Sequence, residues 1–98
     1  QTRRAAERER VETAVRVDVR VAAARLDAAR ASLAVGQAAV AQARESQRIV
    51  RDRYEHGLAD VTALLRAAEG LQDAEARHAA ARVGVTIASA TLARAVGR

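Results

Sequence analysis

The chain has 98 residues, 50% hydrophobic and 30% charged, with no Pro, Cys, Met, Trp or Phe and a single Tyr. That length bounds it to one domain. A composition dominated by Ala, Arg, Val, Leu and Glu without Pro reads as long helix or coiled coil, and the scarcity of aromatics points to a narrow buried seam instead of a thick core. The net charge of +5 is carried by arginine. Arg3, Arg4, Arg8, Arg10, Arg16, Arg20, Arg25 and Arg30 alternate with acids. This reads as a solvated helical face of mixed charge; with no stacking aromatics and no recognisable motif, nucleic-acid binding is not expected. The absence of Cys excludes a disulfide framework and thiolate metal sites. No apolar run is expected to span a bilayer, and the start at Gln1 opens no signal peptide. The lack of an initial Met is read as a processed or excised segment, which would leave any leader or anchor of a parent protein out of view.

Residues 1–10 are charged and read as a frayed helix start. From Val15 an apolar seam runs Val15, Val19, Ala22, Leu26, Ala29, Leu33, Gly36, Val40, Ala43, Gln47, Val50, Tyr54. Its alternating four-three spacing is that of a coiled-coil seam. It predicts a first helix over about 5–56, with an uninterrupted stretch of roughly 70 Å at 1.5 Å per residue. A second stripe, Val17, Val21, Ala24, Ala28, Ala31, Val35, Ala38, keeps the same rhythm on nearly the opposite side. Ala is a good helix former anywhere, but β-branched Val gains nothing on a wet face, so this helix is expected to have neighbours on two sides.

Gly57 breaks the pattern. Glycine after a long helix supplies a left-handed cap at little cost, and Asp60 offers an N-cap carboxylate to the next helix. The predicted turn is therefore 57–60, too short for anything but antiparallel helices. The second helix is expected over about 61–96, with the seam Leu64, Ala67, Leu71, Ala74, His78, Ala81, Val85, Ala88, Leu92, Ala95, and a side stripe Ala76, Ala80, Val83, Ile87, Ala90. Folding the chain at Gly57 brings the seams into register: Val50 meets Leu64, Ala43 meets Leu71, Val40 meets Ala74, Leu33 meets Ala81, Leu26 meets Ala88, and Ala22 meets Leu92. Nearly every layer sets a large residue against a small one, which fills a fixed volume without voids. The fold class is all-α: one two-helix antiparallel coiled-coil hairpin with a long first helix, covering residues 1–98.

One layer pairs Gly36 with His78. Either Gly36 makes room for the imidazole, or it is incidental and His78 points to solvent. Gly70 and Gly84, two heptads apart on one line, either mark the close approach of another backbone or are tolerated weak points. His78 is not expected to bind metal, since no other ligand lies at helical spacing beside it, and His56 reads as a solvated tip residue. No nucleophile–base constellation, phosphate loop or metal spacing is present. Asp73 and Glu75 do not face one another on a helix. No catalytic, cofactor or metal role is expected.

The run R-x-R-Y-x-x-G-L at Arg51–Leu58, followed by D-V-x-x-L-L-x-A at Asp60–Ala67, resembles the periplasmic tip of TolC-like outer-membrane efflux proteins. The continuation through A-R-x-x-x-x-x-A-x-A-x-L-x-R-A-x-G at Ala81–Gly97 and the upstream V-R-x-A-A-A-R-L-x-A-A-R at Val19–Arg30 fit as well. The resemblance implies one of the two long hairpins of a periplasmic α-barrel, in a homo-trimeric channel continuous with an outer-membrane β-barrel. It also implies contact with a periplasmic adaptor through the tip residues Tyr54, Gly57 and Leu58, with no membrane span in this segment. Family members often carry acids near the tip of the second helix; Ala63 and Arg66 stand there in this chain, so an acidic, cation-selective entrance does not carry over. Ala59 replaces a polar or basic tip residue and leaves no salt-bridge latch to carry over. The alternatives are the hairpin of the adaptor itself, which usually shows Arg, Leu and Ser at its tip, and a self-associating coiled-coil module whose second stripe faces a twin.

Overall fold

A computed structural model describes residues 2–97; Gln1 and Arg98 lie outside the described residues. Two helices account for almost all of it: α1 (Thr2–Glu55) and α2 (Val61–Val96). They pack antiparallel into a rod of 83 × 15 × 13 Å. The first ten residues, expected to fray, are helical from Thr2 onward. Mixed charges at helical spacing do not interrupt good helix formers such as Ala, Arg and Glu.

The seam lies where the four-three spacing puts it. Ala22, Leu26, Val40 and Ala95 are the most buried residues. The other seam positions of both helices are half-buried, with one exception. That exception is Tyr54, which stays 43% exposed. Its mirror position across the turn is the cap residue Asp60, so no apolar layer exists for the ring to join. Among the described residues no side chain is wholly enclosed, the result expected of a seam one layer wide.

Large-against-small pairing is seen directly at Gly36. A Cβ built there would lie 3.4 Å from the Cα of His78, 3.6 Å from its Cδ2 and 3.7 Å from its Cβ. Gly36 and His78 stand equally far from Gly57, so this contact confirms the register. It also decides between the two orientations of His78. The imidazole turns into the seam, and its Nε2 is buried without a hydrogen-bond partner among the described residues. Gly70 and Gly84 differ from Gly36, since a Cβ at either would meet nothing within 4 Å. Nothing inside the hairpin requires these two glycines. An ion pair from Arg44 to Glu75, at 3.6 Å, crosses the seam. Both partners are well exposed, so it contributes little to stability.

Two features differ from the sequence expectation or extend it. The mirror of Val96 across Gly57 is Asp18, so α1, which starts at Thr2, runs past the end of α2 by roughly 24 Å at 1.5 Å per residue. Every residue from Thr2 to Ala14 on this overhang is exposed. In addition, α2 is long and apolar enough to cross a membrane by length and composition, at a mean hydropathy of 1.2. This corrects the expectation that no stretch qualifies. The cause is density of Ala, Val and Leu on three sides of the helix instead of one. Its seam is nonetheless held against α1, whose adjoining segment carries Arg16, Asp18, Arg20, Arg25, Asp27 and Arg30. Placing α2 in lipid would break the seam or drag those charges along, at several kcal/mol for each, on the order of the known cost for central charges.

The outer stripes remain open. Val17 (52% exposed), Val21 (43%) and Val35 (70%) on α1, and Val83 (58%) and Ile87 (61%) on α2, face away from the seam.

Candidate functional site

The hairpin tip is built by two complementary caps. At the end of α1 the Gly57 N–H donates to the Tyr54 carbonyl at 3.1 Å, and the Leu58 N–H donates to the Arg53 carbonyl at 2.7 Å. Gly57 has φ +73°. This is a Schellman closure, in which the left-handed residue lets two further N–H groups satisfy carbonyls left over at the helix end. The His56 N–H donates to the Asp52 carbonyl at 3.2 Å. Its ring Nδ1 sits 2.8 Å from the same oxygen and 3.6 Å from the Asp52 carboxylate. His56 is thus an exposed part of the cap, on the tip as expected.

At the start of α2, Asp60 is extended (φ −91°, ψ 174°). Its carboxylate accepts from the Ala63 N–H at 2.9 Å, which satisfies one of the free donors of the first turn. Asp60→Ala is expected to cost about 1 kcal/mol, read as a lower unfolding midpoint in urea, with Asp60→Ser recovering most of it.

The two caps leave a short, exposed tip. Leu58 is 77% exposed at the end of the rod. Tyr54, in the last turn of α1, contributes its carbonyl to the cap and stays exposed. Gly57 makes the turn and presents no side chain. The tip also carries Val61 (54% exposed) and Leu65 (58%), which sequence reasoning did not single out. Val61 and Leu65 lie four residues apart on one side of α2. The signal was present in the doublet Leu64–Leu65: a helix can turn only one of two adjacent leucines into the seam. Leu64 is half-buried there, so Leu65 must point elsewhere. Below the tip, Arg48 donates to Glu45 at 2.6 and 3.0 Å. This hydrogen bond holds the Glu45 carboxyl below its ordinary range and pushes the Arg48 guanidinium up. Among the described residues no group of His, Cys, Asp and Glu is arranged to hold a metal ion.

The hairpin is thus closed by a left-handed glycine turn and leaves apolar residues exposed along its outer side. A family model described as outer membrane efflux protein matches residues 1–98. The chain belongs to the outer membrane efflux protein family. No curated protein and no solved structure is matched. The family match covers the overhang of α1 as well as the paired region. It falls on the channel side of an efflux assembly, not on the adaptor side. Members of this family are outer-membrane channels that trimerise, have periplasmic helical parts and work with adaptor proteins.

Proposed function

We propose that this hairpin is a periplasmic wall segment of a trimeric outer-membrane efflux channel and meets its adaptor through the tip. It has no enzymatic role on this reading. The observation that carries the proposal is the pairing of the family match over residues 1–98 with the exposed Leu58 at the end of an 83 Å rod. An isolated hairpin gains nothing from leaving its most exposed large apolar side chain at its extremity. A partner that covers it gains roughly 25 cal/mol per Å² of apolar surface removed from water.

The outer stripes support the wall role. Val17 looks out from one edge of the hairpin and Val83 from the other, with Val21, Val35 and Ile87 exposed where those edges meet one broad face. A unit that needs a neighbour on each edge suits a closed ring of staves. Each protomer would supply such edges to the next.

The tip is tested in the intact channel with Leu58→Asp. Adaptor affinity is expected to fall about tenfold or more, as for the loss of a central apolar anchor. The helical signal and unfolding midpoint should stay at the parent's values, because Leu58 contributes only its backbone to the cap. Undiminished adaptor binding by a correctly folded Leu58→Asp channel would remove the tip from the interface.

A further inference from the structure

The seam sets the rotation of both helices and so decides which side chains share each broad face of the hairpin. The Arg44–Glu75 ion pair marks one face. Residues seven apart lie on the same line along a coiled-coil helix, so Arg30 and Arg51 flank Arg44 on α1, and Arg82 follows Glu75 on α2. Glu9, Asp27, Glu55 and Glu75 are the acids of this face, against those arginines and Arg16, Arg20 and Arg48. Arg30 and Arg51 carry no ion pair with described residues.

The opposite broad face is marked by a groove of about 440 Å³ lined by Asp18, Val21, Ala22, Arg25, Thr91, Arg94 and Ala95. On the same lines lie Arg53, Arg66 and Arg77, with Asp73 paired to Arg77 at 3.2 Å. Arginine is in excess here too. The acids Glu45, Asp52 and Glu69 sit instead on the outer edges, at the line of Val17 and Val83. The two edges would face neighbouring staves, and the two broad faces would face the tunnel and the surroundings.

From this placement we infer that the channel wall is electropositive on its tunnel side, whichever broad face that is, and that the channel favours anionic cargo. The inference rests on the channel-wall reading. Repetition around a closed wall turns each tunnel-side arginine into a ring, and rings of Arg or Lys select anions as rings of Asp or Glu select cations. The chain has no lysine, and arginine keeps its charge at any pH a protein tolerates. The preference should therefore not titrate away.

The experiment is the reversal potential of the intact channel in a planar bilayer under a KCl gradient. Two sets of variants are compared with the parent: Arg30→Gln, Arg51→Gln and Arg82→Gln on one face, and Arg25→Gln, Arg53→Gln and Arg94→Gln on the other. All six keep helix propensity and leave the seam untouched. The expected result is a chloride-to-potassium permeability ratio above one that drops markedly with one set and hardly with the other; the effective set then names the tunnel face. A conducting channel that prefers potassium, or whose ratio moves with neither set, overturns the inference while leaving the wall reading in place. A purified, folded trimer that never conducts overturns the wall reading itself.

Discussion

Replacing Gly57 with valine is expected to destabilise the hairpin by more than about 1 kcal/mol, the left-handed penalty for an L-residue being ~1–2 kcal/mol. The cause is conformational and nothing else. Gly57 has φ +73°, and a Cβ there would meet nothing within 4 Å. There is room for a side chain but no easy backbone for it. A β-branched residue suffers most in that region, whereas Asn tolerates it. Chemical denaturation monitored by circular dichroism should thus rank Gly57 above Gly57→Asn above Gly57→Val. The consequence reaches function, because the Leu58 N–H reaches the Arg53 carbonyl only through the left-handed turn. A valine that relaxes the turn re-aims Leu58, and adaptor engagement should weaken in the intact channel. Equal stability of parent and Gly57→Val would mean that the turn does not depend on this conformation.

Leu26→Ala is expected to have the largest effect of any seam truncation, about 2–3 kcal/mol, at the lower end of the usual range for buried leucines because the seam is only one layer deep. Leu26 is 7% exposed, and its facing residue is Ala88. A small residue opposite a truncated one leaves a gap that no neighbouring side chain can fill. Ile87→Ala is the matched comparison. It removes a similar volume from a position one residue before Ala88, but Ile87 is 61% exposed, so the change should stay within about 0.5 kcal/mol. The same denaturation measurement reads both. If the two variants lost equal stability, the assignment of seam and outer edge would be wrong.

Those two positions also show what could be read from sequence and why. The seam was legible because burial in a two-helix rod is a one-dimensional pattern. Val19, Leu26 and Val40 recur at the one period that keeps them on a common line, and Gly57 and Asp60 carry cap chemistry that needs no tertiary information. The Gly36–His78 layer was legible as a pairing but open in its meaning, since a sequence cannot say whether an imidazole turns into a seam or out of it. Tyr54 misled, because periodicity extends a seam to a layer whose facing position, Asp60, is the cap of α2 and offers no apolar partner. Val61 and Leu65 stand in the D-V-x-x-L-L run yet were not among the tip residues, because a shared motif does not tell which of its apolar letters stay exposed. The outer stripes were legible as apolar faces. What covers them was not, because Val17, Val35, Val83 and Ile87 look the same whether the neighbour is a protomer, an adaptor or a twin. Gly70 and Gly84 stay open for the same reason: a hairpin alone gives neither a reason for having no side chain.

The doubling back of the chain at residue 57 underlies all of these assignments, and a distance across the seam tests it most directly. Gln37 and Arg77 are exposed and equally far from Gly57. Spin labels on cysteines at these two positions, which lie on opposite broad faces of the hairpin, should report a single narrow distance of about 15–30 Å, set by an interaxial separation of ~8–10 Å plus the outward label arms. A population centred near 60 Å, the span of the intervening residues along one continuous helix at ~1.5 Å each, would contradict the hairpin outright.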